Sequence, residues 1–409
     1  MRRFFETLPS GSCCLMNVQV DAMIEQFATR RSSTLYYSLE EIPEATLSFA
    51  ILERVEQRSD WSQNLKFCSL HDVALLSVML EPQKGLLATQ VKGAFEAIAY
   101  QSQRLQALLE CLVGGGQLDI AQTVLGRFSQ DSYPTAFALQ LEGEENEAIK
   151  LLILKFILSK FPNVVSLSFS RMKFFDPALE GILECAQSLK TLEISVCPHF
   201  LGAVTYPQGL TRIDVMHAPF SAEGVQRLAL QCQSLRAFSL FNCSNVRGSA
   251  FEQAALPSQL QELHLSEIDL TDTGAENVLS LNRSLQKLAL THCHGTTEKS
   301  IDSLASQNIE ALDLLFHSIS TERVNRLLYF SPKLQLLSLI GVANIDFMKV
   351  ESHPLLRHLD VSRTQITCEE ADHLVKLFPN LEILELVACD KVPQTKRDAI
   401  AQYLNNRKT

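Results

Sequence analysis

The chain has 409 residues, 46% of them hydrophobic and 20% charged, with 36 Lys plus Arg against 46 Asp plus Glu for a net charge of −10. That apolar content supplies a folded core and excludes a disordered chain, and the length suits one long domain or two to three ordinary ones. A pI near 5.5 leaves no Lys/Arg surplus for general nucleic-acid binding, so a basic protein partner is favoured over a nucleic acid.

No stretch reaches the roughly eighteen uninterrupted apolar residues of a membrane span. The richest are Val73–Leu80 and Leu151–Leu158, the second broken by Lys155. Met1-Arg2-Arg3-Phe4-Phe5 starts like a secretory signal, but Glu6 and Pro9 interrupt the apolar region, so no cleavable signal is expected. An odd count of 11 cysteines in a well-cored chain points to buried thiols in a reducing compartment. The expected location is cytoplasmic, in the source cell or in a cell into which the protein is delivered.

From the N-terminus, helical spacing covers Asp21–Arg30, Glu44–Gln57, Leu70–Leu80, Gly93–Leu112 and Leu118–Phe128. Gly114-Gly115-Gly116 lacks the Gly-Lys-Ser/Thr of a phosphate loop and reads as a turn between helices. Residues 1–135 are therefore a mostly helical N-terminal region, either a cap or degenerate repeats.

Beyond it a repeat takes over, with apolar residues at its first, fourth and sixth positions and a small, polar or Cys residue at its ninth. It reads Leu189-Lys-Thr-Leu192-Glu-Ile194-Ser-Val-Cys197, then Leu235-Arg-Ala-Phe238-Ser-Leu240-Phe-Asn-Cys243. It returns as Leu285-Gln-Lys-Leu288-Ala-Leu290-Thr-His-Cys293 and Leu381-Glu-Ile-Leu384-Glu-Leu386-Val-Ala-Cys389. Other copies begin at Val164, Leu210, Leu260, Ile309, Leu334 and Leu356, and the successive starts are 25, 21, 25, 25, 25, 24, 25, 22 and 25 residues apart. Ala136-Phe-Ala-Leu139-Gln-Leu141 adds a copy 28 residues upstream, with Glu147–Lys160 as its helix. Thr34–Leu39 and Leu65–Leu70 fit more loosely. A fixed period of this length signals a stacked-repeat architecture.

The pattern resembles the leucine-rich-repeat family, in its cysteine-containing and ribonuclease-inhibitor-like intracellular types. The resemblance covers Val164 to the C-terminus and implies an α/β solenoid shaped as a curved horseshoe. Short parallel strands would line its concave face, helices and irregular segments its convex face, and a helical cap its N-terminal end. The repeats span 136–390, and 391–409 form a C-terminal capping helix. Read independently, the first six positions alternate with period two and give a strand with one buried face. Ser221, Thr271, Thr321 and Thr367 are placed to cap the connecting helices, Thr367 with Glu370 as a capping box. Val225, Leu228 and Ala229, like Val324, Leu327 and Leu328, supply each helix with a buried stripe. The short repeats from Leu189 and Leu334 carry Pro198, Gly202 and Pro207, or Asn344 and Pro354, so little helix and a local change of curvature are expected there. Thr395–Leu404 reads as the closing helix, with Asp398 in its first turn and Ile400, Tyr403 and Leu404 facing inward.

The recurrent Cys197, Cys243, Cys293 and Cys389 fit a structural slot that satisfies backbone groups at the inner turn. His317 and Thr364 occupy the same slot in other copies. His292-Cys293-His294 has no CxxC or HExxH partner and is not read as a metal site. No GxSxG elbow is present and no Cys is placed with a His and an acid, so the chain is expected not to be an enzyme and to need no cofactor or metal. Cys389-Asp390 falls inside a repeat, with no room for the ligase domain of some bacterial repeat effectors. An F-box, which opens on Leu-Pro and closes near Trp, would need Pro9 and Trp61 closer than the 52 residues that separate them.

On the concave face the third, fifth and seventh repeat positions are exposed. They yield an acidic set, Glu193, Asp214, Glu262, Asp313, Asp360 and Glu385, against Arg212 and Lys287 alone. His264 lies in the same face. Phe241, Leu315, Ile340 and Val387, with Met216 in the same column and Phe316 beside it, supply apolar anchors of the kind protein interfaces use. The expected function is a monomeric, non-enzymatic scaffold that docks a basic protein segment in an acidic, partly apolar groove. The resemblance implies either an effector that an intracellular bacterium delivers to a host protein or a substrate-recognition subunit of a ubiquitin ligase. An enzyme with its site in residues 1–135 is the third option.

Overall fold

The computed structural model describes residues 106–407 apart from 107–108, 111, 114–117, 127, 129–132, 135, 144–145, 294, 296, 298–299, 301–307 and 316–318. The chain divides into two units, Met1–Leu141 with Asn146–Val164, and Glu142–Glu145 with Val165–Thr409. The N-terminal helices read from sequence lie outside the described residues, save for Leu118–Phe128 and the last residues of Gly93–Leu112.

In the first unit, helix α1 (Leu118–Leu125), strand β1 (Phe137–Glu142) and helix α2 (Glu147–Lys160) follow one another, as the upstream repeat copy predicts. Phe161 is the hub of its core: it stacks on Tyr133 at 5.0 Å between ring centroids and meets Phe128 and Phe137 edge-on at 5.1 and 5.9 Å. Such pairs add about 0.5–1.5 kcal/mol beyond their burial.

The second unit stacks one strand per repeat. The strands are β2 (Val164–Ser170), β3 (Thr191–Ser195), β4 (Arg212–Met216), β5 (Ala237–Phe241) and β6 (Glu262–Ser266). They continue as β7 (Lys287–Thr291), β8 (Ala311–Asp313), β9 (Leu336–Ser338), β10 (His358–Asp360) and β11 (Ile383–Glu385). They lie side by side in chain order, every pair parallel. The fourth and sixth repeat residues, such as Ile213 with Val215, Leu263 with Leu265 and Leu359 with Val361, are at most 2% exposed. This unit is an α/β leucine-rich-repeat solenoid.

The connecting helices are α3 (Asp176–Leu183), α4 (Ala222–Gln231), α5 (Gly248–Gln253), α6 (Asp272–Leu281), α7 (Thr321–Phe330), α8 (Cys368–Leu377) and the closing α9 (Gln394–Arg407). Ser221 and Thr271 cap α4 and α6 by accepting from the amides of Gly224 and Gly274, and Thr367 with Glu370 forms the capping box of α8. Thr321 departs from expectation. The cap position of α7 is Ser320, and Thr321, one residue into the helix, turns its hydroxyl to accept from the Asp346 amide of the next repeat at 2.9 Å. In α9, Ile400 and Leu404 are buried as expected, but Tyr403 is 56% exposed, because the buried pair four residues apart already fills the inward stripe. Asp398 is the fifth helical residue and lies past the first turn; it accepts from Gln394 Nε2 at 2.8 Å.

The two short repeats lack a full helix. Only a 3₁₀ turn, Phe347–Lys349, links β9 to β10, and an irregular segment joins β3 to β4. There the Asp176 carboxylate satisfies backbone donors of the segment, accepting from the amides of Leu201 at 2.8 Å, Gly202 at 3.4 Å and Ala203 at 2.7 Å. Gly202 has φ +80, and a Cβ on it would stand 2.0 Å from the Phe220 ring, so no other residue fits.

The eighth repeat position is left-handed at Arg171, Val196, His217, Asn242, Glu267, His292, Gly341, Arg363 and Ala388. From most of these the amide reaches the next repeat's seventh carbonyl, as His217 N to Phe241 O at 2.9 Å and Arg363 N to Val387 O at 2.8 Å. The ninth position then closes the turn. The thiols of Cys197, Cys243, Cys293 and Cys389 donate to the carbonyls of Phe169, Val215, Leu265 and Val361 in the preceding repeat. Thr364 keeps the slot with its hydroxyl, donating to Val361 O at 2.7 Å. Burial pushes the thiols of Cys243 and Cys293 up to about 11 and about 12, which suits inert packing groups. His294 and His317 lie outside the described residues.

Candidate partner-binding face

Because the strands pair without slippage, repeat positions become straight rows across the sheet. The fifth position runs Glu193, Asp214, Ser239, His264, Ala289, Asp313, Ser338, Asp360 and Glu385, each a register partner of the next. Six of the expected site residues thus stand in one line on the face opposite the core, with strands about 4.8 Å apart. The third-position row holds Arg212, Ala237, Glu262, Lys287, Ala311, Leu336 and His358.

Ion pairs distribute the charge of this face unevenly. Arg212 donates to both oxygens of Asp214, at 2.6 and 3.3 Å, and lies 3.5 Å from Glu262, while Lys287 Nζ reaches Glu262 at 2.5 Å. The hydrogen bonds from the guanidinium to Asp214 raise the Arg212 pKa, against the opposing effect of burial. Two of the six acids are therefore neutralised by the two cations, and the uncompensated carboxylates gather towards β8–β11. There Asp360 accepts from the Ser362 amide at 2.9 Å, and Glu385 sits 2.8 Å from His358 Nε2. His358 escaped sequence reading, although its third-position placement was the available signal. Glu193 lies beyond the neutralised centre on β3.

Apolar anchors are present but discontinuous. Phe241, Leu315 and Ile340 are half-buried and Val387 is 62% exposed, yet Ser266 and Thr291 between the first two are buried. Phe241 meets the His217 ring edge-on at 5.0 Å. Phe316 lies outside the described residues.

Between β4 and β9 the face sinks into a depression of about 230 Å³. Small side chains make it: Ala237, Ser239, Ala289 and Ala311, with Asp214 at one end, Asp313 and Leu336 at the other, and His264 and Glu262 between. The sequence reading passed over these alanines, since it searched the variable positions for charge and aromatic bulk. His264 is exposed, yet the surrounding sheet desolvates it and lowers its pKa against the pull of Asp313 and Asp214. Burial raises the Asp313 pKa, outweighing the neighbouring Ser338 hydroxyl and His264, which pull it down. Among the described residues no three His, Cys, Asp or Glu side chains converge as metal ligands, and no helix is long and apolar enough to cross a membrane.

No protein-family model matches the chain, and no curated protein matches it. Among solved structures it is similar to a chain of the yeast Rad7 and Elc1 complex, with 16% identity over 86% of this chain and 95% of that chain and a TM-score of 0.44. It is also similar to an internalin, InlF, from Listeria monocytogenes, with 13% identity over 72% of this chain and 74% of that chain and a TM-score of 0.39. The one-strand-per-repeat parallel sheet of Val165–Thr409, built on the repeat read from its own sequence, is a leucine-rich-repeat fold.

Proposed function

We propose that the protein is a non-enzymatic, monomeric interaction scaffold, and that the sheet face of its repeats receives a basic segment of a partner protein in a reducing cytosol. The observation that carries this reading is the line of carboxylates Asp313, Asp360 and Glu385 on the open face, in register across β8, β10 and β11. Asp360 and Glu385, like charges opposite one another on adjacent strands, repel, with Asp313 two strands further along the row, and an incoming cation relieves that cost. Complementary charge also steers encounter and fixes register. The partner-specific versions of this reading are an effector acting on a host protein and a recognition subunit of a ubiquitin ligase.

The test is affinity purification of tagged protein from eukaryotic cytosol, with the combined Asp313→Lys, Asp360→Lys and Glu385→Lys variant as control. A specific partner that the variant loses supports the face, and a cullin-ligase core among the partners selects the recognition-subunit version. A specific partner retained undiminished by the variant refutes the face.

A further inference from the structure

The outward rows of β2–β11, at the third, fifth and seventh repeat positions, hold three kinds of titratable side chain among the described residues. There are the carboxylates of Glu193, Asp214, Glu262, Asp313, Asp360 and Glu385, the cations Arg212 and Lys287, and two histidines, His264 and His358. Six carboxylates against two cations leave a formal charge of −4 while the histidines are neutral, and −2 once both are protonated. Histidine is the side chain whose ordinary pKa places its charging between about pH 5 and 8. Both stand beside the carboxylates concerned. His358 Nε2 lies 2.8 Å from Glu385 Oε1 on β11, with Asp360 two residues along its own strand and the uncharged Leu336 opposite it on β9. His264 lies in the fifth-position row between Ser239 and Ala289, and the next members of that row are Asp214 on one side and Asp313 on the other. Two strand spacings put each of these acids about 10 Å away. On its own strand His264 has Glu262, which Arg212 and Lys287 hold.

We propose that His264 and His358 make this face proton-sensitive: on acidification both gain charge, the face loses half of its negative charge, and a bound basic segment is released. The proposal rests on the scaffold reading and adds to it a means of control. A protonated His358 turns its contact with Glu385 into a full ion pair, which neutralises one of the carboxylates left uncompensated by Arg212 and Lys287. A protonated His264 sets a cation between Asp214 and Asp313 in the middle of the row. Desolvation lowers the His264 pKa, so its charging falls below the ordinary 6.5. Burial raises the Asp313 pKa, so that carboxylate gives up its charge earlier as the pH drops. Both changes weaken the attraction for a cation in the same direction.

The test uses the full chain and tetramethylrhodamine-labelled hexa-arginine, read by fluorescence anisotropy at pH 7.5 and 5.5 and equal ionic strength, with far-UV circular dichroism to establish that the protein is folded at both. For the native protein the Kd at pH 5.5 should exceed that at pH 7.5 about fivefold. In the combined His264→Asn and His358→Asn variant this ratio should fall below about twofold, whereas His199→Asn, at a histidine outside the three rows, should leave it as in the native protein. His264→Lys, charged at both pH values, should bind more weakly than the native protein already at pH 7.5. Each single asparagine variant, expected to lower the ratio in part, takes the place of the combined one if that variant does not fold. A native ratio near one, or a ratio that the asparagine variants do not diminish, overturns the proton control and leaves the scaffold reading to its own test. Failure of hexa-arginine to bind the native protein at pH 7.5 overturns the proton control and the basic-segment reading together.

Discussion

Lys287 Nζ stands 2.5 Å from Glu262 Oε1 on the neighbouring strand, and Arg212 approaches the same carboxylate from the other side at 3.5 Å. One acid on β6 thus holds two cations, one from the adjacent β7 and one from β4, two strands away. These side chains are substantially exposed, with 61% and 47% for the cations, so the pairs contribute little to stability. We expect Glu262→Gln to cost less than about 1 kcal/mol in denaturant unfolding while weakening binding of a basic peptide, because it removes a carboxylate and frees the Lys287 charge, Arg212 staying paired with Asp214. Unchanged affinity for hexa-arginine in this variant would show that the centre of the face takes no part in steering.

The ninth-position thiols should behave as packing groups. Cys243→Ala is expected to cost about 1–3 kcal/mol, through the lost bond to Val215 O and the space left behind. At pH 8 the exposed Cys185 should alkylate readily, and Cys243, 0% exposed with its thiol pushed up to about 11, should react only on unfolding. Mass spectrometry of iodoacetamide time courses in native and denaturing buffer checks this. Fast native modification of Cys243 would contradict the structural assignment.

His353 is 2% exposed and ties the end of α7 to the short repeat beyond it: its Nε2 lies 3.0 Å from Ser331 O, and its Nδ1 accepts from the Leu355 amide at 3.3 Å. A carbonyl can only accept and an amide only donate, so these contacts require the neutral ring with its proton on Nε2. Desolvation lowers its pKa, against the raising effect of the Ser331 carbonyl. The folded state therefore binds fewer protons than the unfolded one. This contribution to stability is complete above the unfolded value near 6.5 and is lost as pH falls below it towards the depressed folded value. His264, shifted in the same direction, adds to the slope, so the informative quantity is the difference between native protein and His353→Asn. Unfolding free energies at pH 7.5, 6.5 and 5.5 should converge as pH drops; a pH-independent difference would sink the assignment.

Val196 sits at φ +54, 45% exposed, in the left-handed turn that Asn242 and Gly341 occupy in other repeats. A β-branched residue pays heavily for that conformation. Val196→Gly should stabilise the protein by about 1 kcal/mol, the relief of strain exceeding glycine's added chain entropy. A thermal midpoint raised by a few degrees is the expected reading, and a lowered one would show that the Val196 side chain contributes packing that outweighs the strain.

How much of this could be read from the residues alone differs from feature to feature. The strands and their register were legible, because a fixed period with apolar residues at the first, fourth and sixth positions admits one stacking solution. The caps at Ser221, Thr271 and Thr367 and the helix-free short repeats were legible for the same local reasons, hydroxyl placement and proline. The misplacement of Thr321 by one residue came from a partner 25 positions away, the Asp346 amide, which no local pattern contains. The distribution of charge on the face has a similar origin: Arg212 and Lys287 were visible, but only lateral pairing shows that they converge on Asp214 and Glu262. Sequence by itself determined the repeat, its strands and the rows of side chains they present, since these follow from period and polarity. Tertiary structure alone decided which carboxylates are left uncompensated and where Ala289 and Ala311 open the surface, since both depend on the side chains that neighbouring strands bring within a few ångströms of one another.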